Sequence, residues 1–80
     1  RGYFESAVEG AYAADALCNL GLLALRRGQR SEALASYRAA LVKQPESGAA
    51  WVGVGAVLSD SNQLDEARHA LAKAIELRPN

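Results

Sequence analysis

Apolar residues recur along most of this chain at spacings of three and four. Leu17, Leu20 and Ala24 form one run, and Ala33, Tyr37, Ala40 and Leu41 form the next. Such spacing places side chains on a single stripe of an α-helix, whereas a strand would alternate them. The stripes break where the chemistry of the chain favours a turn. Arg27-Gly28-Gln29-Arg30 offers a glycine able to take the left-handed conformation that closes a helix, with Ser31 following as the expected cap. Asn62, which tolerates positive φ better than most residues, occupies the corresponding place further on, followed by Asp65 as cap. Pro45 and Pro79 lack the amide donor and disfavour helical geometry in the residue before them, so each ends a helix. The pattern predicts helices near 15–27, 31–43, 48–60 and 64–77.

The same pattern occurs twice. A shift of 34 residues superposes Ala16 on Ala50, Gly21 on Gly55, Gln29 on Gln63, Glu32 on Glu66, Ala33 on Ala67, Ala40 on Ala74 and Pro45 on Pro79. Leu17 and Trp51, Leu20 and Val54, Leu23 and Val57, Tyr37 and Leu71, and Leu41 and Ile75 then match in kind. Each unit is a pair of amphipathic helices. Gly21 and Ala33, like Gly55 and Ala67, lack bulk where the two helix axes approach, so ridges can seat in grooves. Ala40 and Ala74 leave the same room for whatever follows the second helix, which implies stacking of one unit on the next.

These residues resemble the tetratricopeptide repeat pattern: Leu17, Leu20, Gly21, Ala24, Gly28, Ala33, Tyr37, Ala40 and Pro45 in one unit, Trp51, Val54, Gly55, Leu58, Ala67, Leu71, Ala74 and Pro79 in the other. The resemblance implies an all-α fold, antiparallel helix-turn-helix units stacked as a right-handed α-solenoid. It divides the chain at 14–47 and 48–80. Residues 1–13, with Tyr3-Phe4-Glu5-Ser6-Ala7-Val8-Glu9, are read as the second helix of a partial preceding repeat and its linker at Gly10-Ala11-Tyr12, where the usual proline is missing. About two and a half repeats result. Ala24 in place of an aromatic, Arg30 opposite Leu64 and Arg68 opposite Leu34 are minor departures.

The resemblance also implies a concave groove, lined by the first helix of each unit, that accepts a peptide or a helix of a partner. Its lining would be Asp15, Cys18, Asn19, Leu22, Leu25 and Arg26, then Ala49, Val52, Gly53, Ala56, Ser59 and Asp60. Asn19 could make paired hydrogen bonds to a peptide backbone and Arg26 could fix a carboxylate. A solvated Asn19, and an Arg26 that only complements the helix dipole, are the simpler alternatives. A groove with Cys18, Leu22, Ala49 and Gly53 in place of Lys or Arg does not suit the acidic tails of heat-shock chaperones. It suits an apolar helical face or an extended segment with small hydrophobic anchors.

Composition narrows the field further. Nine basic and nine acidic residues cancel, so no net field draws a polyphosphate chain or an anionic membrane, and nucleic acid is a poor partner. Arg26, Arg27, Glu32, Asp60 and Asp65 interrupt every apolar run before it reaches the roughly 20 residues of a membrane span. The single cysteine, Cys18, forms no internal disulfide, which leaves the compartment open between cytoplasm and periplasm. The excess of Arg over Lys and the abundance of Ala hint at a bacterial source.

Residues that could carry chemistry have structural explanations. His69 stands alone without a second metal ligand at suitable spacing, and Cys18 has no histidine base near it in the pattern. Gly53-Val54-Gly55 lacks the strand and third glycine of a phosphate loop. Asp65-Glu66 fits a helix first turn, while Trp51 and Tyr37, usable as anchors for a partner, match core positions. No catalytic residue, cofactor or metal is called for. The expected function is a protein-interaction scaffold. The rival is an accessory arm of a larger enzyme or of a polysaccharide-export or secretion machine, and the third possibility is a structural spacer. Two and a half repeats without a polar capping helix would also leave apolar ends, from which self-association is expected.

Overall fold

The computed structural model describes the backbone of residues 2–77 and the side chains of residues 13–77. Four helices follow one another: α1 (Gly2–Arg26), α2 (Arg30–Lys43), α3 (Gly48–Asp60) and α4 (Leu64–Leu77). The pairs α1–α2 and α3–α4 form two hairpins, and α3 lies against both helices of the first. The chain is an all-α helical repeat, with α2, α3 and α4 within one residue of the bounds that periodicity predicts. The stop assigned to Pro79 lies outside the described residues.

The turns follow the expected chemistry. Gly28 sits at φ 78°, and the Gln29 amide reaches back to the Ala24 carbonyl at 2.9 Å, closing α1 with a left-handed residue. Asn62 repeats the arrangement at φ 65°, with the Gln63 amide donating to Leu58 O at 2.8 Å. At the end of α2, Gln44 is extended at φ −146°, as the residue before a proline prefers.

Two expectations are corrected. First, the linker at Gly10-Ala11-Tyr12 is not a loop: α1 runs unbroken from Gly2 to Arg26, about 37 Å at 1.5 Å per residue. Residues 1–13 are therefore not a separate returning helix. One interior glycine costs only about 1 kcal/mol, and with Ala11, Ala13, Ala14 and Ala16 around it and no proline, nothing ends the helix there. The side chains of Tyr3 to Glu9 lie outside the described residues. Second, Ser31 and Asp65 are not caps. The helices begin one residue before them, at Arg30 and Leu64, and Gln29 precedes α2 without a side-chain cap bond. Asp65 and Glu66 instead occupy the first turn of α4, where carboxylates favour the dipole. A side-chain cap stands instead at α3: Ser47 precedes the helix and its hydroxyl oxygen accepts from the Ala50 amide at 3.1 Å.

Small residues fill the core. Ala24, Ala33, Ala67 and Ala70 surround Tyr37, Val54, Val57 and Leu58, and a second cluster joins Ala14, Ala40 and Ala50 where α1, α2 and α3 meet. The Tyr37 ring is the largest buried group, 4% exposed. It is held between two glycines: a Cβ built on Gly21 would stand 2.8 Å from one edge of the ring, and one on Gly53 would stand 2.2 Å from the other. Only glycine on both sides lets the ring lie flat between α1 and α3.

Candidate partner-binding groove

On a helix each residue turns about 100°, so the flank that a side chain occupies follows from its number. In α1 the residues nearest the core are Ala14, Gly21 and Ala24. Asp15, Asn19, Leu22 and Arg26 fall together within an arc of about 60° to one side. All four are exposed. In α3 the core takes Ala50, Gly53, Val54, Val57 and Leu58, leaving Ala49, Val52, Ala56, Ser59 and Asp60 exposed on one flank. The two helices that carry these flanks, α1 and α3, are in contact. Leu22, 44% exposed, and Val52, 50% exposed, are their large apolar groups.

The remaining residues expected in the groove are placed otherwise. Gly53 is corrected outright: it is buried under the Tyr37 ring and offers no surface to a ligand. Cys18 is half-buried and packs against both core clusters. Burial pushes its thiol above the ordinary value, the nearby Asp15 charge adds to this, and a hydrogen bond with the Ser47 side chain acts the other way. Cys18 packs where α1, α2 and α3 meet, and a thiol kept protonated is a poor nucleophile. Leu25 is half-buried and packs on the main core cluster. Asp60 lies on the exposed flank, but its carboxylate is engaged by the Arg30 Nε at 2.8 Å, an ion pair that joins the first turn of α2 to the last of α3.

The aromatic residues divide. Tyr37 belongs to the core, and burial followed by the neighbouring Cys18 raises its hydroxyl pKa. Trp51 is half-buried, packed against the core, and donates its indole N–H to Pro45 O at 3.1 Å. His69 is exposed on α4, and no group of three or more His, Cys, Asp or Glu among the described residues could hold a metal ion. No helix among the described residues is long and apolar enough to cross a membrane.

One cleft lies beside the expected groove: an open hollow of about 700 Å³ between α3 and α4, walled by Ala49, Val52, Leu71, Ala74 and Ile75. Ala49 and Val52 belong to both surfaces. A smaller hollow of about 200 Å³ lies at the other side of the molecule, beside Leu20, Leu23 and Ala24. Period alone gave no hint of either, because both are gaps between helices.

A 65-residue stretch, 81% of this chain, is 34% identical to part of a peroxisomal targeting signal receptor of Eremothecium gossypii. The chain spans 11% of the length of that relative. The tetratricopeptide repeat model matches residues 18–80, which contain the hinge at Gly28, the glycine slot around Tyr37 and the whole second hairpin. This chain belongs to the tetratricopeptide repeat family.

Proposed function

We propose that this chain is a non-catalytic protein-interaction module that holds a peptide or a helix of a partner against the exposed flanks of α1 and α3. What carries the reading is the pair of exposed apolar side chains, Leu22 and Val52, on two neighbouring helices whose other sides are already used by the core. Around them stand small residues, Ala49 and Ala56, that let a ligand approach the helix backbones, with Asn19 and Arg26 at hand for its amides and carboxylates. Asp15 and Ser59 complete the polar margin, and Asp60 reaches it only if it leaves Arg30. Cys18 and Leu25 support the floor from beneath. The reading agrees with the general role of tetratricopeptide repeats in protein–protein interaction. That a receptor for a targeting signal contains a similar stretch favours a peptide ligand.

The test is a selection of random peptides displayed on phage against the 80-residue chain, followed by titration of the winners against two groove variants. Leu22→Asp and Ala56→Asp each place a charge on the exposed flank without touching the core, and each should weaken binding at least tenfold. His69→Ala, on α4, should leave it unchanged. Peptides that bind all three variants equally well would sink the groove reading.

A further inference from the structure

One departure from the repeat has no part in the core: Arg30 stands where the second unit has Leu64. Its side chain is exposed, and its Nε donates to the Asp60 carboxylate at 2.8 Å. Asp60 is the residue that the 34-residue shift places on Arg26, so the two hold matching places on the exposed flanks of α3 and α1. Alone they would be opposite charges at the same end of the groove. Arg30 upsets that balance: two guanidinium cations against one carboxylate leave a single net positive charge there. Among the described residues the ion pairs are Arg30 with Asp60, Arg68 with Asp65 and Lys73 with Glu76, and Arg26 joins none of them. Arg27 does not add to the groove, since it lines the smaller hollow together with Glu32.

The other end has the opposite sign. Asp15 is exposed in the middle of α1, far from the helix start at Gly2, so the helix dipole does not account for it. Its counterpart in α3 is the neutral Ala49. The two helices run in the same direction: Ala14 shares a cluster with Ala50 near the start of α3, and Ala24 shares one with Val57 and Leu58 further along. Asp15 therefore marks one end of the groove and Arg26 the other, about 16 Å away at 1.5 Å per residue. Between these ends neither helix carries a charge. Residues 16–25 of α1 and 48–59 of α3 are all uncharged, with Leu22, Val52 and Ala56 exposed among them.

We propose, in an inference that rests on the groove reading above, that the groove selects a peptide with two opposite charges and an apolar stretch between them. Its acidic group lies at Arg26 and its basic group at Asp15, and Arg30 sets this polarity from outside the groove by holding Asp60. The span of about 16 Å corresponds to about five residues of extended peptide or about three turns of helix. At an ionic strength of about 0.1 M charges interact over about 10 Å, so the two ends read the ligand independently. Exposed charges of this kind steer association and fix the direction in which the ligand lies, while the apolar centre holds it.

The probes are the phage-selected peptides described above, sequenced and then titrated at low and at high salt. Those weakened by Leu22→Asp should share one charge order, acidic towards one end and basic towards the other. Arg26→Glu and Asp15→Lys, both at exposed positions and verified as helical by circular dichroism, should each weaken them about three- to tenfold at low salt. The two losses should multiply, because the sites are far apart. Arg30→Leu, which installs the residue of the second unit and frees Asp60, should weaken them about two- to threefold, and Asp60→Asn added to it should restore binding. All of these differences should shrink at high salt. A fresh selection against Arg26→Glu should return peptides with a basic group in place of the acidic one. Peptides that need Leu22 but show no charge order, or ignore the changes at Asp15 and Arg26, overturn this inference and leave the groove reading standing. An Arg30→Leu loss that Asp60→Asn does not restore refutes the action of Arg30 through Asp60. Winners indifferent to both Leu22→Asp and Ala56→Asp, or a selection without winners, overturn the groove reading and the polarity with it.

Discussion

Replacing Gly53 by alanine gives the sharpest test of how the repeats are joined. The added methyl would lie 2.2 to 2.4 Å from three carbons of the Tyr37 ring, whereas carbon atoms in contact settle at about 3.5 Å or more. More than 1 Å must be opened. Gly21 on the far side carries no side-chain atom, but its backbone lies close behind the ring and leaves it little room to retreat, so α3 must lift away from α2 or the ring must leave its slot. Overpacking of this kind costs about 1–3 kcal/mol, and an overlap so deep belongs at the upper end. Alanine returns about 1 kcal/mol of helix propensity. The net is a loss of about 2 kcal/mol, which at a urea slope of about 1 kcal/mol/M lowers the unfolding midpoint by about 2 M. The assay is urea unfolding followed by circular dichroism and by Trp51 fluorescence. Gly48→Ala serves as the control, since its nearest neighbour, Ala74 O, is 3.8 Å away and the substitution should be neutral or mildly stabilising. Adding Tyr37→Leu to Gly53→Ala should recover at least about 1 kcal/mol of coupling, as expected for residues in direct contact. A Gly53→Ala variant as stable as the wild type would refute the slot.

Other perturbations have gentler outcomes. Ser47→Ala removes the acceptor for the Ala50 amide at a site only 8% exposed, and should cost about 1 kcal/mol, read as a drop of about 4–8 °C in melting temperature. The Arg30–Asp60 pair has both side chains 53% exposed, so a double-mutant cycle with alanines should return no more than about 0.5 kcal/mol, vanishing in high salt. Alkaline pH should weaken the fold. Cys18 and Tyr37 both have pKa values raised by burial above the ordinary 9.0 and 10.0, so below pH 9 both are neutral in either state and their contribution is intact. As pH rises further the unfolded chain sheds these protons first, and stability falls until the folded values are passed. Cys18→Ala should abolish the part of the loss that begins near pH 9, measured as unfolding midpoint against pH.

Much of the fold could be read from local chemistry. The 3.6-residue period, the left-handed residues Gly28 and Asn62, and the proline after Gln44 each act within a few residues of themselves, and the helices they delimit fall where expected. The break at Gly10 rests on the repeat pattern alone and runs against local propensity, which prevails across an alanine-rich stretch without proline. Ser47 was legible in principle, as a serine between Pro45 and the apolar run of α3. Ser31 and Asp65 are equally good cap residues by type, but they stand one residue too far in. Gly53 shows a deeper limit. Counting positions assigns it to the same exposed flank as Val52 and Ala56, but the neighbouring helix decides what covers it, and no spacing in α3 reveals that the ring of Tyr37, sixteen residues earlier, is wedged there.

The choice of alanine and glycine for the core ties stability to recognition. Small residues bring the helix axes together, which sets α1 beside α3, but they bury little apolar area, and among the described residues Val57 is the only large side chain that is fully enclosed. At about 25 cal/mol per Å² a core of this kind leaves a thin margin in an 80-residue chain. Any surface that binds only the folded form then matters in proportion: a ligand at 100 times its dissociation constant adds about 2.7 kcal/mol, more than the Gly53→Ala loss worked out above. The packing that exposes Leu20, Leu22, Val52 and Ile75 is therefore the same packing that makes the fold depend on what covers them. Exchanging the core alanines for bulkier residues would splay α1 from α3 and draw apart the exposed flanks that the proposed groove needs.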